Sequence, residues 1–480
     1  MSDFLRKCCV HVPQRFLVCW LMFAGCVIPI MDRQIYFQAM RTMYVATPTE
    51  QSKSECPVMI KRRKPYDSFQ NRFHWDVNLV RAITQASYIG FLISNVPAGY
   101  LADHYGGRGV LGAGVLMGSM ATLMLAIFAV HGVVPLLITR LVQGIGQGLV
   151  FSSTHSLIAQ WAPTSERARF VGIVRSGGSL GWGLGYVLSF MFKDKWKMPF
   201  YVTGVLGLIW FFVWYHFCKS KPSQSAYIKD TELQYILDNR EGMADQIPKR
   251  YLQLPLKAVF SSRPVWSLLF INWAFCYVHY TMTNQAKWYA VSVLRLTDDL
   301  TDVLVFAHGF VLPISTIFWG FVSDYLVNQE YMTRTVNRKV FGVTSNMMVA
   351  LGLLFIPLAG CSGITVVSIH VILSYIRGIF FSTVYANPID LSPRYAGLIM
   401  ALLNSTGNVT ALFSREMVSV IDEPSDVFNW WFVFLLMVGQ LAIMSPPYLC
   451  LGSGEVQHWN LPARRSVYPQ APEAVPDNNM

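Results

Sequence analysis

Three charged side chains sit in stretches where water is scarce. Arg140 lies in an apolar run that starts near Val133 and continues as RLVQGIGQGLVFSSTHSLIAQWAP; Asp32 and Arg33 lie near the middle of the first apolar run, about Phe16 to Tyr44. An arginine well inside a bilayer-length segment costs about 2.5–3.5 kcal/mol even on the lenient insertion scale. Either of two environments offsets that cost: a water-filled cavity visited by an anion, or a structural tie to carbonyls and neighbouring helices. Asp32 adds a titratable carboxylate beside Arg33. Neighbours on a helix point about 100° apart, so the two need not pair with each other.

Further polar groups recur in later apolar runs. Gln143 and Gln147 fall one turn apart, and the seventh run holds His279, Thr281, Asn284, Gln285 and Lys287. Asn284 and Gln285 offer directional hydrogen bonds to a ligand, and Lys287 is expected to snorkel outward. The tenth run carries Arg377. The eleventh carries Asn404 and Asn408, one turn apart; both read as glycosylation sequons, but a sequon inside a span is no surface loop. Gly177-Gly178-Ser179-Leu180-Gly181 matches a hydrolase nucleophile elbow in form only, because that motif needs a strand-to-helix turn and this one lies inside an apolar run. With no metal-ligand spacing and no nucleophile–base set, the chain is not read as an enzyme. Gly144, Gly146 and Gly148, and Gly177, Gly181 and Gly185, are the small-residue patterns that let membrane helices approach closely.

The elements that must position these residues follow from composition. At 53% hydrophobic and 14% charged over 480 residues, the chain is too apolar for a soluble protein of this size and reads as a polytopic membrane protein. The net charge of +11 then belongs to basic loops and not to nucleic-acid binding. Apolar runs near 16–44, 78–101, 108–130, 133–160, 168–191, 198–218, 264–293, 299–326, 338–358, 362–386, 394–418 and 428–450 give twelve spans. An even number puts both termini on one side, and Arg6, Lys7, Arg108, Arg167, Arg169, Arg334, Arg338 and Lys339 make that side cytoplasmic. The loop of about 46–76, with Lys61-Arg62-Arg63-Lys64, is then an external exception. Of nine cysteines only Cys56 and Cys361 fall in external loops, so at most one exofacial disulfide is expected; Cys8 and Cys9 are candidates for palmitoylation.

The chain is duplicated. Gly99-Tyr-Leu-Ala-Asp103 with Arg108 downstream recurs as Gly320-Phe-Val-Ser-Asp324 with Arg334 and Arg338-Lys339 downstream, 221 positions later, each after the second span of a six-span half. The expected organisation is an all-α membrane protein of two pseudo-symmetric six-helix halves. Residues 1–15 form a cytoplasmic N-terminus, 16–218 the first bundle, 219–263 a cytoplasmic linker whose Tyr251 to Phe260 part lies on the membrane surface, 264–450 the second bundle, and 451–480 a disordered tail.

These residues resemble the anion:cation symporter branch of the major facilitator superfamily, the group of sialin, the vesicular glutamate and nucleotide transporters and the type I sodium–phosphate cotransporters. The resemblance runs from about Gln14 to Met444. It is carried by Trp161-Ala-Pro-Thr-Ser-Glu166-Arg167-Ala-Arg169, by Asn387-Pro-Ile-Asp390-Leu-Ser-Pro-Arg394-Tyr-Ala-Gly397, and by the Asp324 segment ending in Arg338-Lys339. It implies a monomeric, multi-pass transporter of organic anions or phosphate in a plasma or vesicle membrane, working by alternating access without a bound cofactor, with H+ or Na+ as coupling ion. It also implies roles: Arg33 and Arg140 as the anion clamp; Asn284, Gln285 and Asn404 reading the rest of the solute; Asp32 as the coupling site; and Asp103, Arg108, Asp324, Arg338, Glu166 and Arg167 as gating motifs. Gln147 stands where relatives often carry the proton-coupling carboxylate, while Gln85 and Ala274 replace the His and Arg of the glutamate transporters. Arg175 and Arg377 have no place in the family pattern. The alternative is a transport-inactive sensor or scaffold on the same fold.

Overall fold

In lipid, an apolar run of 18 to 30 residues satisfies its backbone groups within the segment by forming an α-helix. The computed structural model describes residues 13–43, 56, 77–129, 131–193, 195–242, 256–419 and 427–460. Twelve long helical elements cross it: α1 (Gln14–Met43), α2 (Val77–Tyr105), α3 (Gly107–Phe128), α4 (Val133–Trp161), α5 (Arg167–Met191), α6 (Met198–Phe217), α7 (Arg263–Ser292), α8 (Asp298–Phe306, continuing through Ala307–Val311 into Leu312–Asn328), α9 (Arg334–Leu358), α10 (Gly363–Thr383, continuing through Val384–Ala386 into Asn387–Leu391), α11 (Ala396–Ser419) and α12 (Val427–Met444, then Pro446–Leu451). Nine are long and apolar enough to cross a membrane by length and composition alone. The other three, α2, α5 and α7, are the ones laden with polar residues. Cys8, Cys9, Lys61 to Lys64 and the start of the expected surface piece at Tyr251 lie outside the described residues.

Helix contacts follow the glycines. A Cβ at Gly177 would stand 2.4 Å from the Phe23 carbonyl and one at Gly181 2.3 Å from that of Val27, so the four-residue glycine stripe on α5 is where α1 lies against it. The duplication is equally concrete. Asp103, at the end of α2, accepts hydrogen bonds from the Gly397 and Leu398 amides (3.0 and 2.8 Å) at the start of α11; Asp324, at the end of α8, accepts from Ala168 and Arg169 (3.0 and 2.9 Å) at the start of α5. Each carboxylate thus meets the free amides and positive end of a helix belonging to the other half.

The two halves merge at the end carrying the termini and part at the opposite end. At the terminal end one apolar core mixes residues of both halves, from Met22, Trp161 and Phe170 to Phe275, Tyr385 and Leu403, whereas towards the far end the cores of the second half and of the first are separate. The terminal end is also closed by polar ties. Asp390, fully buried, accepts from Arg167 (3.2 Å) of the first half and from Arg338 (2.9 Å) of the second. Glu166 holds Arg15 (3.0 Å) and Arg169 (2.6 Å), and Glu232, in the linker helix Asp230–Asp238, accepts from the Gln14 and Arg15 amides (2.9 and 3.0 Å) at the start of α1.

The Arg108 guanidinium donates to the Tyr215 carbonyl (2.5 Å) and stacks on that ring, tying α3 to α6. Two expectations change. The tail is packed as far as Asn460, because Asn460 accepts from Ser392 (2.7 Å), donates to the Gly242 carbonyl (2.8 Å) and is fully buried. Lys287 does not snorkel outward; Asp302 supplies a counter-charge at 3.3 Å and Tyr186 of the other half a hydroxyl at 3.4 Å, bridging the halves near the far end. Cys56 and Cys361 form the one disulfide among the described residues, at that same end.

Candidate functional site

Where the halves part, a cavity of about 70 Å³ opens between them. Its first-half wall comes from Arg33 on α1, Tyr88 and Phe91 on α2, Phe151 on α4, and Arg175 with Trp182 on α5; its second-half wall carries His279, Tyr280, Asn284, His308, Phe381, Asn404 and Asn408. Trp182, Thr283, Asn284 and His308 also line a second cavity that continues towards the far end past Gln34, Thr84 and Lys287. Access therefore lies on the side opposite the termini. Among the described residues, no Asp or Glu lines the inner cavity.

Arg33 is the cation that sequence reasoning placed here. It donates through Nε (3.1 Å) and Nη2 to the Gln147 side-chain oxygen and lies over the Tyr88 ring, 4.9 Å from its centroid. Gln147 is held in turn by donating to the Pro29 carbonyl (3.0 Å). A neutral amide at 147 orients the guanidinium without cancelling its charge, whereas a carboxylate there would form a buried ion pair with it. Gln147 is thus a positioning residue for Arg33.

Arg140 is not brought into the cavity. Completely buried, it donates to Gln143 and to the Ser87 hydroxyl (2.9 Å) and is stacked on Tyr36 at 3.7 Å. Asp32 lies behind the wall in the same packet, with the Arg140 guanidinium and the Thr122 and Thr203 hydroxyls as its electrostatic neighbours, and its Oδ1 has no hydrogen-bond donor. The two arginines named as the clamp are thus separated: Arg140 stands with Asp32 in one layer, and Arg33 in the next.

Of the amides read from the sequence, Asn284 and Asn404 face the inner cavity and Gln285 does not. Gln285 lines a small apolar recess with Tyr289 and Trp430. Asn408 joins them, donating to the Asn404 carbonyl (2.9 Å), and Asn284 Nδ2, Asn404 Nδ2, Asn408 Oδ1 and His279 Nδ1 are buried with no partner among the described residues. Unsatisfied amides around a cavity are costly unless water or a ligand meets them. Sequence reasoning gave no site role to His308 or Arg175. His308 is turned inward by the π-helical turn Ala307–Val311, whose extra residue rotates the helix face, and such turns cluster at functional sites. Arg175 was noticed only as an unexplained charge.

Comparison with known proteins agrees with this architecture. The family model described as Major Facilitator Superfamily matches residues 23–414. Human sialin is 25% identical over 393 residues, covering 81% of this chain and 78% of that one. Sodium-dependent phosphate transport protein 1 is 26% identical over 412 residues in Homo sapiens (83% and 85% covered) and 24% over 399 in Rattus norvegicus (82% and 84%). Among solved structures, the proton:xylose symporter XylE bound to 6-bromo-6-deoxy-D-glucose superposes with a TM-score of 0.68 at 13% identity, covering 92% of this chain and 97% of that one. The E. coli fucose:proton symporter FucP gives 0.62 at 12%, covering 90% and 97%. Those two likenesses bear on the fold alone. Twelve helices in two duplicated halves, the match over 23–414 and these relatives together mean that the chain belongs to the Major Facilitator Superfamily, in its anion:cation symporter branch, a family of membrane transporters and not of enzymes.

Proposed function

We propose that the protein is a secondary transporter of small anions, organic acids or phosphate, that works by alternating access. The observation that carries this reading is the inner cavity, reached from one end only, into which Arg33 projects with no acidic residue in the lining. Its relatives named above include a sodium-dependent phosphate transport protein and sialin. The closed end breaks and the open end closes as the halves rock, the ties at Asp390, Asp103 and Asp324 giving way while those around Lys287 and Asp302 tighten. Asn284, Asn404 and Asn408 read the solute's neutral groups. Asp32, buried and one layer behind Arg33, is the coupling site for H+ or Na+, and Arg140 sets the field at that carboxylate. It acts as a multi-pass monomer in a plasma or vesicle membrane. The Cys56–Cys361 disulfide supports a far end that faces an oxidising compartment, with the termini on the cytoplasmic side.

Energetics follow from charge. Moving one charge against about 100 mV costs about 2.3 kcal/mol, so import of an anion into a negative cell needs co-moving cations, whereas filling an inside-positive vesicle does not. The test is uptake by the purified chain in liposomes, with labelled phosphate, benzoate and dicarboxylates under imposed sodium, proton and voltage gradients. Saturable, gradient-dependent uptake of an anion is expected. Uptake no greater than in protein-free vesicles for every anion and gradient refutes the reading.

A further inference from the structure

Arg175 is a cation without an anion. It sits in the first half of α5 in the cavity wall, and its guanidinium is wedged among aromatic faces drawn from both halves of the molecule: Phe151 at 5.4 Å, Phe381 at 4.9 Å and Tyr385 at 5.0 Å. Among the described residues no carboxylate pairs with it and no carbonyl or hydroxyl accepts its hydrogen bonds. Cation–π contacts hold such a group in place but leave its N–H donors in the guanidinium plane unmet. Tyr280 is an electrostatic neighbour of both Arg33 and Arg175, so the two cations flank one phenol across the cavity. Behind the second-half wall a further cation adds to the imbalance. Arg377 is fully buried and, among the described residues, donates only to the Ser374 hydroxyl (2.9 Å) and has Nε and Nη1 without partners; it acts electrostatically on His279 and His308.

We propose that Arg175 is a second anion-binding residue of the cavity and that Arg33 and Arg175 together make it a site for organic dianions with a flat apolar body. This rests on the anion-transport reading above and narrows its substrate class. Each guanidinium takes one carboxylate or phosphate group of the solute through paired N–H donors. The body between them lies against the rings of Tyr88, Phe91, Trp182 and Tyr280, which inorganic phosphate would leave wet. One positive charge would be satisfied by a monoanion; two flanking a cavity without any acid in its lining require two negative charges for neutrality.

The experiment is direct titration calorimetry on the purified full chain with three probes: terephthalate, benzoate and inorganic phosphate. Terephthalate should bind at least about tenfold more tightly than benzoate, a difference of ~1.4 kcal/mol, and phosphate more weakly than either. Arg175→Gln should erase that advantage, so that terephthalate and benzoate bind the variant alike, and Arg175→Lys, which keeps the charge but not the fork, should restore part of it. An unchanged unfolding temperature shows that the variant is folded; if Arg175→Gln does not fold, the ratio of terephthalate to benzoate in the unaltered chain decides. Equal affinities in the unaltered chain, or a terephthalate preference that survives Arg175→Gln, overturns the inference while leaving anion transport intact. If none of the three probes binds and no anion is taken up, both fail together.

Discussion

Replacing Asp390 by Asn should push the protein towards the state open at the terminal end. Asp390 is fully buried and shares its two oxygens between Arg167 at 3.2 Å and Arg338 at 2.9 Å. Arg338 and Asp390 belong to the same half, so that pair survives any rocking motion, whereas the Arg167 pair crosses between halves and is lost when this end opens. Losing a partner from a buried pair costs about 3–5 kcal/mol in total. The part that differs between the two states is the crossing hydrogen bond to a charged group, about 1.5–3 kcal/mol. That converts to a shift of about 10- to 150-fold in the ratio of the two states. Spin labels at Ser223 and Gln329, both exposed at the terminal end on opposite sides of the interface, read the population as a distance distribution once the exposed Cys450 has been removed. The longer distance should gain population in Asp390→Asn and, by a similar amount, in Arg167→Gln, and the double variant should add little. The mirror change, Asp302→Asn, weakens the hydrogen bond that Asp302 accepts from the Tyr186 hydroxyl of the other half, whereas its ion pair with Lys287 lies within one half; with the Asp302 side chain 14% exposed, solvent screening holds the opposite shift below about 1 kcal/mol. A distance distribution unchanged in Asp390→Asn, or one moved to shorter distances, refutes the reasoning.

Other outcomes follow from the same geometry. Gln147→Glu should pair with Arg33 and weaken terephthalate and benzoate alike by about tenfold or more, read by calorimetry, because the ligand must then displace a bound carboxylate. Gly178→Leu should abolish anion binding with little change in thermal unfolding: a Cβ there meets only Ile30 and Phe151 at 3.8 Å, and the rest of the side chain projects into the cavity. Gly144→Ala should lower the unfolding temperature in detergent, since its Cβ would fall 2.0 Å from the Ser87 carbonyl and α2 and α4 must separate, an overpacking cost of about 1–3 kcal/mol. Cutting the chain at a protease site engineered within 243–255 should leave the halves joined on a non-reducing gel and separate them after reduction, because Cys56 and Cys361 bridge them.

Much of this architecture is written in local pattern, and the missing part has a common cause. Hydrophobic runs, the repeated Gly-x-x-x-Asp ends and the four-residue glycine spacing each act through neighbours on one helix, so the spans, the duplication and the close-packing face of α5 were legible, though not that α1 lies against it. Arg33, Asn284 and Asn404 were legible too, as polar groups in apolar runs. What the pattern does not carry is the rotation of a helix about its own axis. Arg140 and Gln147, two turns apart on α4, both point towards α1, yet Gln147 meets Arg33 at the cavity edge while Arg140 is sealed under Tyr36. Gln285, next to Asn284, faces a different recess for the same reason, since adjacent helical residues diverge by about 100°. His308 depends on the π-helical turn in α8, and Arg175 on aromatic rings from α4 and α10 that lie far away in the chain; neither leaves a local signal.

The most direct test of the central claim, that an anion is held by Arg33 in the cavity between the halves, is calorimetric titration of benzoate into the unaltered chain and into Arg33→Gln, with thermal unfolding as the check on folding. The account predicts saturable binding to the first and at least about tenfold weaker binding to the second at an unchanged unfolding temperature. Equal affinity in the two proteins would contradict it.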